Sequence, residues 1–277
     1  MVGALSLSIA ERIIVEGRAF QLVLLLITAV FLYVAYRLLK MGREIYLRKL
    51  PAIDAIEEAI GRAAEMGKPV HYTYGAGGGG GGAGAGLASS QGPQVVASSA
   101  ILGYVARLCA RYDVRLIVNM MQADAIPLTE EVIRLGYLME GKPEKFDPKI
   151  INYFPGQSPM VTGILGTFQR ERPAASFHIG GLYYESVVIG EAAKFVGAFV
   201  VAGTANTHQL AFIVATSDYV LIGEEIYAAA AYISREPMQI ASIASEDWVK
   251  FILMAITVIG MLLESAGIHW ISGMLKT

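Results

Sequence analysis

The chain has 277 residues, 55% hydrophobic and 17% charged, with a mean hydropathy of +0.50. That balance excludes a disordered chain, a collagen-like repeat and a disulfide-stapled scaffold, and a formal net charge of −2 leaves no basic surplus for a nucleic-acid backbone. The single cysteine, Cys109, permits no intrachain disulfide and fits a reducing compartment.

From the N-terminus, the first feature is a run of eighteen uncharged residues, Ala19 to Tyr36. At 1.5 Å per residue it reaches about 27 Å, nearly a hydrocarbon core, and predicts a transmembrane helix over 19–40. A cleaved signal peptide fits poorly, because Met1 to Ala10 carries no Lys or Arg and the apolar run lies too far in. Arg37, Lys40, Arg43, Arg48 and Lys49 crowd the C-terminal flank. Arg12 and Arg18 on the other side are offset by Glu11 and Glu16. The bias predicts a two-pass protein of the cell membrane, with the segment 41–248 cytoplasmic and the termini, beginning with 1–18, outside. Met41 to Leu50 is expected to continue the first span as a helical stalk.

In the central segment, short apolar runs alternate with longer helical patterns. Val70–Tyr74, Leu116–Met120, Ile151–Phe154, Ser176–Ile179, Ala198–Ala202 and Tyr219–Ile222 read as strands. Helix patterns fall near Ile53–Glu65, Gln94–Arg111, Thr129–Met139, Val161–Arg170, Glu185–Phe195, Gln209–Ala215 and Glu224–Ile233. The alternation predicts an α/β fold, a Rossmann-like, doubly wound and mostly parallel sheet flanked by N- and C-terminal transmembrane helices. Pro51 and Gly67 mark the ends of the first domain helix, and Thr129 and Thr207 are expected to cap the starts of two others. The stretch 141–148 reads as an exposed connection.

Directly after the first strand, Gly75 to Gly86 contains only glycine and alanine. The G-x-G-x-x-G pattern at Gly77, Gly79 and Gly82 sits where a dinucleotide fingerprint would. A low-complexity run matches almost any glycine pattern, however, so the tract is assigned no chemistry.

Ligands of open α/β sheets bind outside the carboxyl ends of the strands. The residues just past those ends are small and polar: Asn119, Gln122 and Asp124; Gly156, Gln157 and Ser158; Gly180, Gly181, Tyr184 and Glu185; Gly203, Thr204, Asn206, Thr207 and His208; and Gly223, Glu224 and Glu225. The ligand-binding candidates are Gly180, Gly181, Tyr184, Glu185, Gly203, Thr204, Asn206, Thr207 and His208, each with a bland competitor. The glycines serve a turn equally well, Thr204, Asn206 and Thr207 a helix cap, and the tyrosines packing. His178, inside a strand, reads as a core histidine. His208, opening a helix, is the better ligand candidate.

The Walker, H-E-x-x-H, C-x-x-C and G-x-S-x-G signatures are all missing, so no catalytic residue, metal site or cofactor is assigned. Cys109 reads as a small buried side chain. The second apolar stretch, Phe251 to Leu275, holds one acid, Glu264, and lies in 249–277, the segment of the second span. Gly260, Glu264 and Gly267 fall on one helical face, where small residues permit close approach and an acid needs a partner; the face predicts helix association.

The stretches RKLPAIDAIEEAIGRAAEMGKPVHYTYG, ARYDVRLIV and HIGGLYYESVVIGEAAKFVGAFVVAGTANTHQLAFIVATSDYVLIGEEIYAAAAYI, within Lys49 to Trp270, carry a resemblance to a family of prokaryotic membrane proteins known only as a domain of unknown function. The resemblance implies a similar anchor, α/β domain and terminal apolar helix, and no activity. The Gly/Ala tract departs from it.

Between Met41 and Trp248, 37 of 208 residues are charged, 16 basic and 21 acidic. That is sparse for a soluble domain and fits a doubly covered sheet with buried subunit contacts. The first expectation is therefore a membrane-anchored scaffold that self-associates into a homo-oligomer, its partners the bilayer and its own copies, without nucleic acid. The alternative is a cytoplasmic nucleotide or small-molecule sensor or enzyme using the strand-end crevice.

Overall fold

The computed structural model describes residues 19–43, 45, 48–77 and 86–267. The chain divides into two compact units, one formed by its two ends, Met1–Tyr46 and Glu236–Thr277, and one by Leu47–Arg235.

The end unit is built on helices α1 (Ala19–Lys40) and α9 (Pro237–Ser265). At 1.5 Å per residue they are about 33 and 43 Å long, and both are long and apolar enough to cross a membrane. They run antiparallel. Ala35 of α1 is buried with Ala241 and Ala244 of α9, and Phe31 meets Trp248 edge-on at 5.8 Å. Alanines at this contact let the two backbones approach closely. Outward, Leu25, Leu26, Val30, Phe251, Met254 and Leu262 are each more than half exposed, a pattern of apolar side chains that water would penalise and hydrocarbon would not.

Three sequence expectations are corrected here. The first span does not continue as a stalk: α1 stops at Lys40, and Gly42 at φ +79° breaks the helix. The last helix starts at Pro237, well before Phe251, because residues 237–250 carry the helical contact with α1. Gly260 and Glu264 lie on α9, whereas Gly267 lies beyond its end at φ +79° and shares no helical face with them. Residues 1–18 and the C-terminal part of the second apolar stretch lie outside the described residues.

The α/β unit begins with α2 (Pro51–Met66). Proline supplies a preset first-turn φ, Ile53, Ile56, Ile60 and Ala63 form one buried stripe, and Gly67 ends the helix at φ 62°. The Lys68 and Gly67 amides return to the Ala63 and Ala64 carbonyls, a Schellman closure. Then follow β1 (Val70–Thr73), α3 (Gly92–Tyr112), β2 (Leu116–Met120), α4 (Ile126–Met139), β3 (Ile151–Tyr153), α5 (Gln157–Glu171), β4 (Ala175–Ile179), α6 (Glu185–Phe195), β5 (Phe199–Thr204), α7 (Leu210–Thr216), β6 (Tyr219–Ile222) and α8 (Glu225–Ser234).

The six strands form one all-parallel sheet in the order β3-β2-β1-β4-β5-β6. Parallel neighbours require crossovers, and helices supply them. One face packs Tyr72, Val118, Phe177 and Ile179 against Ile56 and Ile60 of α2, Ile101 and Leu102 of α3 and Ile226 of α8. The other packs Val200 against Ile164 and Phe168 of α5 and Ile189 of α6, and Ala202 against Ile213 of α7. Both faces being covered explains why the central strands read as continuous runs without alternation.

Neither expected threonine cap forms. Helix α4 begins at Ile126 with Pro127 in its first turn, so Thr129 is buried inside the helix, donating to the Ala125 carbonyl and meeting the Tyr74 hydroxyl at 3.0 Å. Thr207 opens a short 3-10 turn, Thr207–Gln209, ahead of α7, and is exposed. The connection 141–148 contains one short 3-10 turn and the start of another, rather than open loop.

Candidate functional site

Because every strand runs the same way, the loops that follow them gather at one edge of the sheet. The order reverses between β1 and β4, so the connections leaving these neighbours run in opposite directions along the sheet, the switch point where such folds place a crevice. Its floor is backbone on backbone. The Gly77 amide donates to the Gly181 carbonyl at 2.7 Å. A side chain at Gly180, which sits at φ +143°, would place its Cβ 2.3 Å from the Tyr74 oxygen, and one at Gly181 would lie 2.7 Å from the Gly77 Cα. Here glycine is dictated by close approach.

Beside this floor, the fully buried Glu185 carboxylate accepts from the Ala76 amide at 2.8 Å, the Tyr183 amide at 3.0 Å and the Gln157 side-chain amide at 2.6 Å. One carboxylate thereby ties the loop after β1, the loop after β4 and the start of α5. Gln122, from the loop after β2, donates to the Gly75 carbonyl at 2.7 Å.

Toward β5 the polar groups are amides. Gln94 of α3 donates to Asn206 at 3.1 Å and to Gln91, and its oxygen accepts from the Ala205 amide at 3.0 Å and the Thr204 hydroxyl at 3.3 Å. Gln94 is thus saturated. Asn206 spends one N–H on the Leu182 carbonyl at 3.0 Å. At the rim the Tyr183 and His208 rings lie 5.2 Å apart, tilted by 52°, and the Gln91 amide reaches the Tyr183 hydroxyl at 3.4 Å.

Of the sequence candidates, Gly180, Gly181, Glu185, Thr204, Asn206 and His208 are brought into this arrangement. Gly203 instead lies within β5, where it makes room for Leu221. Tyr184 is half exposed, its hydroxyl 3.4 Å from that of Ser158, and Thr207 contributes no cap bond. Gln91 and Gln94 were missed by sequence reasoning. Their position, straight after the Gly/Ala tract at the opening of a helix, was the available signal.

Beneath the edge, on the α5 face of the sheet, Ser176 Oγ lies between His71 Nδ1 at 2.8 Å and His178 Nε2 at 2.7 Å. Both rings are buried, and Phe168 contacts each. Burial drives both imidazoles well below the usual histidine range, His178 to about 3, and the neighbouring His178 pushes His71 in the same direction. Both rings are therefore neutral. The single Ser176 proton can serve only one of them, so at least one ring donates to the hydroxyl. His71 Nε2 has no hydrogen-bond partner among the described residues.

A second opening, a cleft of about 550 Å³ at the amino ends of the strands, is lined by Arg115, Lys145, Lys149 and Arg170. Arg115 pairs with Glu171, and Lys145 with Asp113 at 2.5 Å. Cys109 also lines it, but burial pushes its thiol up, away from nucleophilic use. Among the described residues no group of three His, Cys, Asp or Glu is placed to hold a metal.

Fold and site together define a mixed α/β protein with an all-parallel six-stranded sheet, a polar hydrogen-bonded cluster at its carboxyl edge and two helices of membrane-spanning length. The chain belongs to the family Domain of unknown function (DUF6754), whose model matches residues 10–275. No curated protein and no solved structure matches the chain.

Proposed function

We propose that this chain is a two-pass membrane protein whose Rossmann-like unit, on the cytoplasmic side, binds a small molecule in the crevice between the loops after β1, β4 and β5. The observation that carries this reading is the amide and hydroxyl network of Gln94, Thr204 and Asn206 opening to the surface at the Tyr183–His208 ring pair. A concave site with few polar groups beside aromatic rings is the usual form of a small-molecule pocket. The basic flank of α1, with Arg37 and Lys40 in its last turn, supports the orientation.

The test is thermal stabilisation of the detergent-solubilised chain by a panel of nucleosides, nucleotides, amines and carboxylates, beside the Asn206→Ala and His208→Ala variants. At least one compound should raise the melting temperature of the wild type and lose most of that effect in both variants. No shift with any compound would sink the reading.

Self-association is a second reading, favoured by the outer edge of the sheet. Tyr219 and Ile222 of the edge strand β6 are exposed together with Phe212 and Val214 of α7, and an apolar, unpaired edge invites a neighbour. Light scattering of the solubilised chain should give a mass of at least two copies. A monomer at every concentration would end this reading.

A further inference from the structure

The cleft of about 550 Å³ at the amino ends of the strands lies at the opposite edge of the sheet from the polar cluster of Gln94 and Asn206, and residues of the α/β unit alone line it. It starts at Leu116 and Ile150, where β2 and β3 begin, and follows the short edge strand β3 up to Phe154. Its volume falls within the roughly 300–1,000 Å³ of small-molecule sites. Val114, Ile117 and Tyr137 make part of its wall apolar.

Four cations and three carboxylates also line it. Arg115 is paired with Glu171, and Lys145 with Asp113 at 2.5 Å. Asp147 turns to its own chain and accepts from the Lys149 amide at 3.0 Å. The negative carboxyl end of α3 has its own cation, because the Lys142 ammonium donates to the Ala110 carbonyl at 2.6 Å and the Arg111 carbonyl at 3.3 Å. The remaining cations of the cleft are Lys149 and Arg170, which stand in no ion pair among the described residues.

The walls on the α5 side are held in place. Asn152 of β3 donates to Asn119 at 3.0 Å, Asn119 to Thr167 at 3.2 Å, and Thr167 to the Gly163 carbonyl at 2.9 Å, a chain that fixes the Asn152 amide beside the cleft. Glycine inside a helix is unfavourable, yet Gly163 and Gly166 both lie within α5. A Cβ at Gly163 would stand 2.3 Å from the Phe154 ring, and one at Gly166 2.9 Å from the Arg170 guanidinium. The two glycines therefore seat an aromatic ring and a cation against the helix, and both of these line the cleft.

An arginine and a lysine beside an apolar wall suit a ligand with an anionic head. The guanidinium matches phosphate or carboxylate oxygens in pairs, and the ammonium adds a point charge. We infer that this cleft binds a small organic anion, a phosphate or carboxylate head on an apolar body, with the head on Lys149 and Arg170 and the body against Phe154. The site is separate from the crevice at the carboxyl edge and does not depend on it.

The experiment is isothermal titration of the full-length chain in detergent with phenyl phosphate, benzoate, the neutral benzamide and inorganic phosphate. At least one of the first two should bind with a Kd below about 1 mM, and benzamide and inorganic phosphate should bind about tenfold more weakly or not at all. Lys149→Gln and Arg170→Gln replace exposed side chains, and each should weaken the organic anion about tenfold. Circular dichroism before titration checks that both are folded. Arg134→Gln, which removes an exposed cation outside the cleft, and Asn206→Ala, at the carboxyl edge, should keep binding within about twofold. A tighter phenyl phosphate assigns the head as phosphate, and a tighter benzoate as carboxylate. Failure of both anions, benzamide binding as tightly as benzoate, or inorganic phosphate binding as tightly as phenyl phosphate would overturn the proposal. So would binding that survives in both Lys149→Gln and Arg170→Gln, and its loss in Asn206→Ala instead would move the anion to the crevice.

Discussion

Acidification from pH 6.5 to 4.5 should destabilise the α/β unit through two buried side chains, by about 2 kcal/mol through His178, with His71 adding in the same direction. His71 and His178 are neutral in the fold, their affinity for protons lowered by burial, His178 to about 3. In the unfolded chain each titrates near 6.5. Below that value the unfolded state binds protons that the native state refuses, so the unfolding free energy falls with falling pH by about 1.4 kcal/mol per unit for each histidine. The contribution is fully present above the unfolded value and is lost progressively beneath it, until the folded rings themselves protonate.

The control is the double variant His71→Gln, His178→Gln, which retains hydrogen-bonding groups near Ser176 but does not titrate. Denaturant melts followed by circular dichroism between pH 7.5 and 4.5 should show a steep pH dependence in the wild type and a much shallower one in the variant. Equal slopes would mean that these rings are not what acid attacks.

The second large effect is expected at Glu185. Replacement by leucine removes the acceptor of the Ala76, Tyr183 and Gln157 N–H groups together. A buried donor left without a partner costs about 1–3 kcal/mol, so Glu185→Leu should cost roughly 3–5 kcal/mol and lower the melting temperature by about 10 °C. Glu185→Gln keeps one acceptor oxygen while turning an N–H₂ toward donors, and should fall between leucine and wild type. A leucine variant melting within 2 °C of the wild type would show that the three donors find water instead.

The central strands were readable because both faces of the sheet are covered there, which turns a strand such as Leu116–Met120 into a compact apolar run; Tyr219–Ile222 also coincides with the observed strand, although it lies at the edge with Tyr219 and Ile222 exposed. Helix ends were read less well, because capping rules see only local pattern. The Thr-Glu-Glu at 129–131 imitates a cap, while Pro127 marks the real first turn. The stalk failed at Gly42, where one left-handed residue outweighs the helix-forming residues around it.

At the site, the residue types at the strand ends were visible but their partners were not. Glu185 bonds to a backbone amide 109 positions away, and Gln94 to a side chain 112 away, separations that carry no local sequence signal. The same holds for the buried histidine pair: His178 was recognisable as a core residue, but its link to His71 crosses from β4 to β1.

The division of the chain into an end unit and an inserted unit has a consequence for biosynthesis. Helix α1 emerges from the ribosome early and α9 late, with Leu47–Arg235 translated between them. The alanine contact of Ala35 with Ala241 and Ala244 therefore closes last, after the sheet has had its full translation time to form. Until then α1 waits without the helix it packs against.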